Sequence, residues 1–313
     1  MAVKLQDVAK LAGVSVTTVS RVINNYGSLS DKTIKKVHDA MAELNYHPNA
    51  LARAMQGKSS KFVGLIIPNL TNPFFAELVN AIQLKLFEKG YKTIIASSAE
   101  NETIEHEYLG MLQANQVDGI ISSSHNLGID EYQRITAPIV SFDRYLADNI
   151  PIVSADNYAG GKLAAEFMVK RGMKRVAVMV DEDTSTSPTL MRVQGAVDVF
   201  TAAGIDYTPV DLHRETIQSL FPGDFDAVIA SNDMAATEIA ETVLAAGRKP
   251  YDDFLITGYD GSELMRRLSP RLPTIVQPIS AIADRLIETL LAQMNNETLS
   301  ETEPLPVKFV EGE

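Results

Sequence analysis

The sequence predicts an α + α/β protein: a small helical head, then a large body of two doubly wound parallel-sheet subdomains. Three observations predict it. Residues 1–48 read as three short amphipathic helices closed by Pro48. From Phe62 onward, short β-branched runs alternate with longer amphipathic stretches. The charge divides at the same place: residues 1–61 carry nine Lys and Arg against four Asp and Glu, while the remainder holds nineteen basic and thirty-six acidic residues within a chain of net charge −12. A cationic head on an anionic body suits contact with a polyanion, because Lys and Arg displace condensed counterions; a solvated basic surface is the alternative.

Composition narrows the class. A hydrophobic share of 45% with 22% charged residues is globular and argues against general disorder. The chain has no cysteine, which excludes disulfide stapling and thiolate chemistry. No apolar run approaches the ~20 residues that span a bilayer. Lys4, Asp7 and Lys10 interrupt the N-terminal apolar residues, so a signal peptide is not expected. The expectation is a soluble, cytoplasmic protein.

In the head, Leu5, Val8, Ala9 and Ala12 recur at helical spacing and Gly13 interrupts. Ser15 can cap a second helix over Val16 to Asn24, with Val19, Val22 and Ile23 inward and Val16, Thr17, Ser20 and Arg21 on the other face. Ser30 can cap a third, on which Ile34, Val37, Met41 and Leu44 repeat. Two short helices joined through a glycine turn and buttressed by a third make a helix-turn-helix, whose second helix enters the major groove of DNA. Val16 then suits a thymine methyl, Thr17 a base edge and Arg21 guanine or phosphate, with Ser15, Thr18 and the helix N-terminus on phosphates. A helical protein-interaction module is the bland alternative. Residues 49–60 read as a hinge: Asn49 can cap a helix through Ala50, Leu51, Ala52, Arg53, Ala54 and Met55 that Gly57 stops. At barely two turns it is marginal alone and suited to folding against a partner.

Residues 61–313 form the body. Strands are expected at 63–67, 93–97, 119–122, 139–142, 176–180, 227–231, 255–259 and 274–277, apolar throughout as in sheets covered on both faces. Helices are expected at 74–88, 104–115, 158–170, 189–203, 234–246 and 279–294. Ligands of such folds lie beyond the carboxyl ends of strands. That rule selects 69–75, Asp143, Arg144, Asn232, Asp233, Asp260 and Gln277. Carboxylates and amides beside phenylalanines suit a polyhydroxylated ligand; for any single position, a turn or helix cap explains the residue as well.

Taken together, these residues resemble the LacI/GalR family of transcriptional repressors. The head carries Asp7-Val8-Ala9, Ala12-Gly13-Val14-Ser15, Thr18-Val19-Ser20-Arg21-Val22-Ile23-Asn24, Leu44-Asn45-Tyr46-His47-Pro48-Asn49 and Ala52-Arg53. The body continues with Asn72-Pro73-Phe74-Phe75, Val117-Asp118-Gly119, Asp156-Asn157-Tyr158-Ala159-Gly160-Gly161, Ser231-Asn232-Asp233 and Gly258-Tyr259-Asp260. The resemblance implies a homodimer on a pseudo-palindromic operator. Ser15, Val16, Thr17, Thr18, Ser20, Arg21, Asn24, Asn49 and Arg53 would contact the DNA, and Met55 would stand at the minor-groove wedge position where most members carry leucine. It also implies a periplasmic-binding-protein-like body whose ligand residues are Asn72, Phe74, Phe75, Asp143, Arg144, Arg192, Asn232, Asp260 and Gln277. The head is most similar to the sucrose-operon branch. The effector implied is sucrose or another fructoside, then ribose, free or phosphorylated, and no cofactor or metal is implied. Some members also bind a serine-phosphorylated phosphocarrier protein, a partner for which the sequence marks no surface. The stretch between Asp206 and Asp226 is shorter than usual, which leaves one pocket wall, with Leu212 or His213, unaligned.

An enzyme is the first rival. No GxSxG, GxxxxGK or GxGxxG motif occurs, and His38, His47, His106, His125 and His213 form no metal-spaced pair. Asp181-Glu182-Asp183 reads as an acidic loop rather than a metal site. A transport-type sugar-binding protein is the second; the basic head opposes it.

Overall fold

The computed structural model describes residues 3–24, 26–47, 59–99, 101–114, 117–124, 126, 131–180, 187–211, 225–297 and 303–313. Two compact units divide the chain, 1–60 and 61–313.

The first unit holds α1 (Leu5–Ala12), α2 (Val16–Ile23) and α3 (Asp31–Glu43). Gly13 closes α1 in the left-handed region at φ +67°, which reverses the chain into α2. Ser15 and Ser30 cap the next two helices by accepting from the N–H of Thr18 and Thr33. Val8, Ala9, Ala12, Val19, Val22, Val37 and Ala40 make a small shared core. The second helix is one residue shorter than the sequence suggests: Asn24 is its C-cap, and its side-chain amide donates to the Ser20 carbonyl.

The second unit contains two sheets. The first takes β1 (Phe62–Ile67), β2 (Lys92–Ser97), β3 (Gly119–Ser122), β4 (Ile139–Phe142) and β5 (Ile152–Val153), in the order β2-β1-β3-β4-β5, all parallel. Between them run α4 (Pro73–Glu88), α5 (Glu102–Ala114) and α6 (Glu131–Arg134). Next come α7 (Asn157–Lys170), β6 (Arg175–Val180), a 3₁₀ turn at Pro188–Leu190, α8 (Met191–Ala203), β7 (Asp206–Asp211) and β8 (Ala227–Ile229). The second half ends with α9 (Asp233–Ala245), β9 (Leu255–Asp260), α10 (Glu263–Leu268), β10 (Thr274–Val276), α11 (Ile279–Met294) and β11 (Lys308–Val310). The second sheet runs β11-β10-β9-β8-β6-β7, parallel except where β11 pairs antiparallel with β10.

The chain passes between the halves three times. It leaves the first sheet after β5 and returns after β10, so that Ile282, Leu286 and Leu290 of α11 join the core of β1, β4 and α4. Leu305 packs on that core and bridges Ala155, whereas Val307 and Phe309 pack on the second.

Three strands escape the sequence pattern. β5 has two residues; β7 contains Pro209, tolerated because β7 is an edge strand; β11 is a short antiparallel edge. The short helices α6 and α10 were equally unannounced. Two expected strands end early, at Ile229 and Val276, although the Gln277 N–H still donates to the Asp260 carbonyl at 3.0 Å. The 206–211 segment is sheet edge, and Leu212 and His213 lie outside the described residues.

Candidate functional site

Between the two sheets, at the carboxyl ends of their strands, lies a cleft of about 530 Å³. All nine effector residues suggested by the sequence line it: Asn72, Phe74, Phe75, Asp143, Arg144, Arg192, Asn232, Asp260 and Gln277.

Asn72 caps α4 through its side-chain oxygen, which accepts from the Phe74 N–H at 2.9 Å, and Pro73 follows at the position where a helix needs no donor. Phe74 and Phe75 stand edge-to-face at 5.3 Å between centroids, and Phe142 lies 5.8 Å from Phe74. They give the first wall its apolar face. Asp143 and Arg144 follow β4 directly, and Asp143 holds φ at +54°, a conformation that costs a non-glycine residue of order 1 kcal/mol. The turn is held by the Asp143 N–H donating to Val153 and the Ser141 hydroxyl donating to the Arg144 carbonyl.

The second wall is organised by small residues. A Cβ on Gly161 would come within 1.8 Å of the Arg192 carbonyl oxygen, and one on Gly195 within 2.2 Å of the Tyr158 carbonyl oxygen. The backbones of α7 and α8 therefore touch, and this contact sets Arg192 at the cleft. The guanidinium of Arg192 lies 3.6 Å from the ring centroid of Tyr259. Its Nε donates to Asn157 Oδ1 at 2.6 Å, its Nη1 to the Ser231 carbonyl at 3.3 Å, and its Nη2 is 3.6 Å from Asp143 Oδ2. Asn157 in turn donates to Asp143 Oδ1 at 2.8 Å. One buried amide thus links the acid of the first wall to the arginine of the second.

Asp260, at φ +103°, accepts from Gln277 Nε2 at 2.8 Å and from the Asn72 side chain across the cleft. Arg144 Nη1 donates to Thr189 Oγ1 at 3.1 Å, also across the cleft. Asn232 caps α9 by accepting from the Ala235 N–H, and Asp233 beside it is buried, accepting from the Gly261 N–H and the Thr274 hydroxyl.

Burial dominates the electrostatics. It raises Asp143 to about 6, against the lowering pull of Arg192, Asn157 and Arg144. It raises Asp260 to about 6, opposed by Arg192, Gln277 and Asn72. Asp233 reaches about 7 through burial and the neighbouring Asp260. Asp143 and Asp260 line the cleft, whereas Asp233 is buried behind it against Gly261 and Thr274. Among the described residues, no group of His, Asp and Glu is arranged to hold a metal.

Sequence reasoning did not assign Asn157, Tyr259 or Thr189 to the site. Asn157 and Tyr259 were visible only as parts of motifs, and their roles follow from the helix contact that Gly161 and Gly195 permit.

In the head, Ser15, Val16, Thr17 and Arg21 are exposed on one side of α2, with Val16 at 40% exposure, while Thr18, Ser20 and Asn24 are half-buried. The Arg21 guanidinium lies 5.9 Å from the Tyr26 ring. Asn49, Arg53 and Met55, with the rest of residues 49–58 of the expected 49–60 hinge, lie outside the described residues, as does Asp181-Glu182-Asp183.

Comparison with known proteins agrees with both units. Residues 4–49 match the model of bacterial regulatory proteins of the lacI family, and residues 60–291 match the periplasmic binding proteins and sugar binding domain of the LacI family. A sucrose operon repressor from Streptococcus mutans is 45% identical over 321 aligned positions, covering 100% of this chain and 99% of the relative. The lac repressor dimer bound to operator and the anti-inducer ONPF superposes with a TM-score of 0.83 at 26% identity, over 100% of this chain and 98% of that one. A periplasmic binding protein/LacI transcriptional regulator from Alkaliphilus metalliredigens, complexed with D-xylulofuranose, has a TM-score of 0.73 at 29% identity over 81% of this chain and 98% of that one. With a helix-turn-helix head, a two-walled cleft and these relatives, the chain belongs to the LacI family of bacterial regulatory proteins.

Proposed function

We propose that the chain is a cytoplasmic repressor of a sucrose-utilisation operon, working as a homodimer whose heads read the two half-sites of an operator and whose cleft takes a fructose-containing sugar. The observation that carries this reading is the 45% end-to-end identity to a sucrose operon repressor. The D-xylulofuranose held by a solved relative supports it, since that ligand is a five-membered ketose ring of the kind sucrose contains. The output is occupancy of DNA rather than turnover, so no catalytic group is assigned.

In the head, Val16 and Thr17 read base edges, Arg21 reaches guanine or phosphate, and Ser15, Thr18, Ser20 and Asn24 position the helix on the backbone. Asn49, Arg53 and Met55 complete the contact through the minor groove. In the body, the phenylalanines cover the C–H faces of the sugar while Asp143, Arg144, Arg192, Asn232, Asp260, Gln277 and Asn72 hold its hydroxyls. The first cleft wall begins at β1, immediately after the hinge segment in the chain, so a ligand that changes the angle between the walls acts on the point from which the hinge departs. A coupling of a few kcal/mol changes operator occupancy by about one to two orders of magnitude.

The test is selection of duplexes from a randomised pool with the purified protein, followed by titration of the selected duplex with and without sucrose or fructose. A two-fold symmetric site whose affinity shifts with sugar is expected. Arg21→Ala should weaken the selected duplex by about 1–3 kcal/mol and leave sugar binding unchanged. Failure to bind any duplex at low salt overturns the reading.

A further inference from the structure

Behind the cleft, on the segment that carries the chain from the first half to the second, stands an amide that does not line the cleft. Asn157 is only 2% exposed. It opens α7 directly after the crossover, where the Asp156 N–H donates to the Leu305 carbonyl at 2.8 Å and the Leu305 N–H to the Ser154 carbonyl at 2.9 Å. Two passages of chain between the halves run side by side there, so the backbone of Asn157 is pinned where the two walls meet.

Every hydrogen-bonding position of the Asn157 side chain is used. Its Nδ2 donates to Asp143 Oδ1 at 2.8 Å and to the Ala155 carbonyl at 3.0 Å. Its Oδ1 accepts from Arg192 Nε at 2.6 Å and from the Tyr259 hydroxyl at 3.3 Å. Gly160 keeps the last contact open, since a Cβ there would stand 2.6 Å from the Tyr259 hydroxyl oxygen. The neighbours dictate the orientation: a carboxylate only accepts and a guanidinium only donates, so the amide fits one way round. The direct approach of acid and arginine, 3.6 Å between Asp143 Oδ2 and Arg192 Nη2, is too long for a hydrogen bond. The amide supplies the two bonds that this approach lacks. An aspartate in its place would keep the shape and the acceptor toward Arg192 and Tyr259 but turn an oxygen on the Asp143 carboxylate. Two buried acids would then face each other, and only protonation of one would restore a donor between them. The titratable groups facing this point are Asp143 at the end of β4, Arg192 on α8 and Tyr259 on β9; Asp156, beside it in the chain, accepts from the Ala159 N–H.

We propose that Asn157 is the positioning residue of the sugar site: from the crossover it fixes Asp143 and Arg192 against each other across the walls, and so sets sugar affinity without touching the sugar. This deepens the reading above, on which it rests. Titration calorimetry on the full chain with sucrose and with fructose, at pH 5.5 and at pH 8, tests it. Asn157→Asp is expected to bind about tenfold more weakly than the wild-type protein at pH 8 and to recover to within about threefold of it at pH 5.5. That slope is the reverse of the wild-type one, because the Asp143 of the wild-type protein accepts best when ionised. A merely structural role would lower the thermal midpoint and leave the slope of affinity with pH unreversed. Asn157→Ala, which brings no charge, loses about tenfold at both pH values and carries the comparison where the acid variant does not fold at pH 8. Either variant binding as tightly as the wild-type protein at pH 8, or an acid variant whose affinity is equally low at pH 5.5, overturns the inference and leaves the sugar-controlled repressor standing. Absence of heat with both sugars from wild-type protein that still binds its duplex overturns the assignment of the cleft to these sugars as well.

Discussion

The two cleft walls repeat one device and use it differently. The sheets share a strand order, β2-β1-β3-β4-β5 in the first and β7-β6-β8-β9-β10 in the second, to which β11 is added at the edge. In each, the fourth strand ends in a buried aspartate with positive φ, Asp143 at +54° and Asp260 at +103°, and burial raises both to about 6. Asp260 accepts from Gln277 on its own side and from Asn72 on the opposite wall. Asp143 accepts from Asn157 through one oxygen and keeps the other without a hydrogen bond. Equivalent positions have diverged: both acids reach across to the opposite wall, but Asp143 keeps one oxygen without a hydrogen bond.

Arg192→Ala should disturb this pairing most, because Arg192 is the strongest cation opposing the effect of burial on both acids. Its loss leaves buried charge uncompensated, at a cost of about 3–5 kcal/mol. Urea unfolding should show a large drop in midpoint and calorimetry no detectable sugar binding; a variant of unchanged stability would mean that the two acids do not depend on it. Replacing the acids one at a time separates them. Asp143→Asn should lower sugar affinity more than Asp260→Asn, by about 1–2 kcal/mol, the order of one hydrogen bond to a charged group. Equal losses would show that the difference between the walls has no bearing on binding.

Asn72→Ala removes the donor that crosses to Asp260 and the cap of α4, so about 1 kcal/mol of stability should be lost. Small-angle scattering should report a larger population of open cleft without sugar. The last effect is on pH. Asp143, Asp260 and Asp233 are raised to about 6, 6 and 7 from an ordinary value of 3.8. The folded protein therefore holds protons that the unfolded chain releases, and these groups make stability fall as pH rises from about 4 through 7. The thermal midpoint should be higher at pH 5.5 than at pH 8, with a shallower dependence in Asp143→Asn. Sugar affinity should move the other way and strengthen with rising pH, because a hydroxyl donates best to the ionised carboxylate.

Much of this arrangement is legible in the residues. Strands such as Ile139–Phe142 are buried on both faces, so continuous β-branched and aromatic runs reveal them, and the strand-end rule then selects Asp143 and Asp260 without any knowledge of the ligand. Edge strands carry no such run. Asp206–Asp211 includes Pro209, and Ile152–Val153 is too short for any periodicity. Asn157 and Tyr259 elude a residue-by-residue reading because their placement depends on how closely two helices approach. Only the glycines hint at that, and their partners lie more than thirty residues away in the chain.

The return of α11 to the first sheet has a consequence for synthesis. Leu78 and Ile82 share a core with Ile282 and Leu286, which leave the ribosome about two hundred residues later. The half made first thus waits for α11 before its core is complete, and that incomplete core is exposed through most of translation. Loss of the final forty residues by a premature stop codon would damage the beginning of the body as severely as its end.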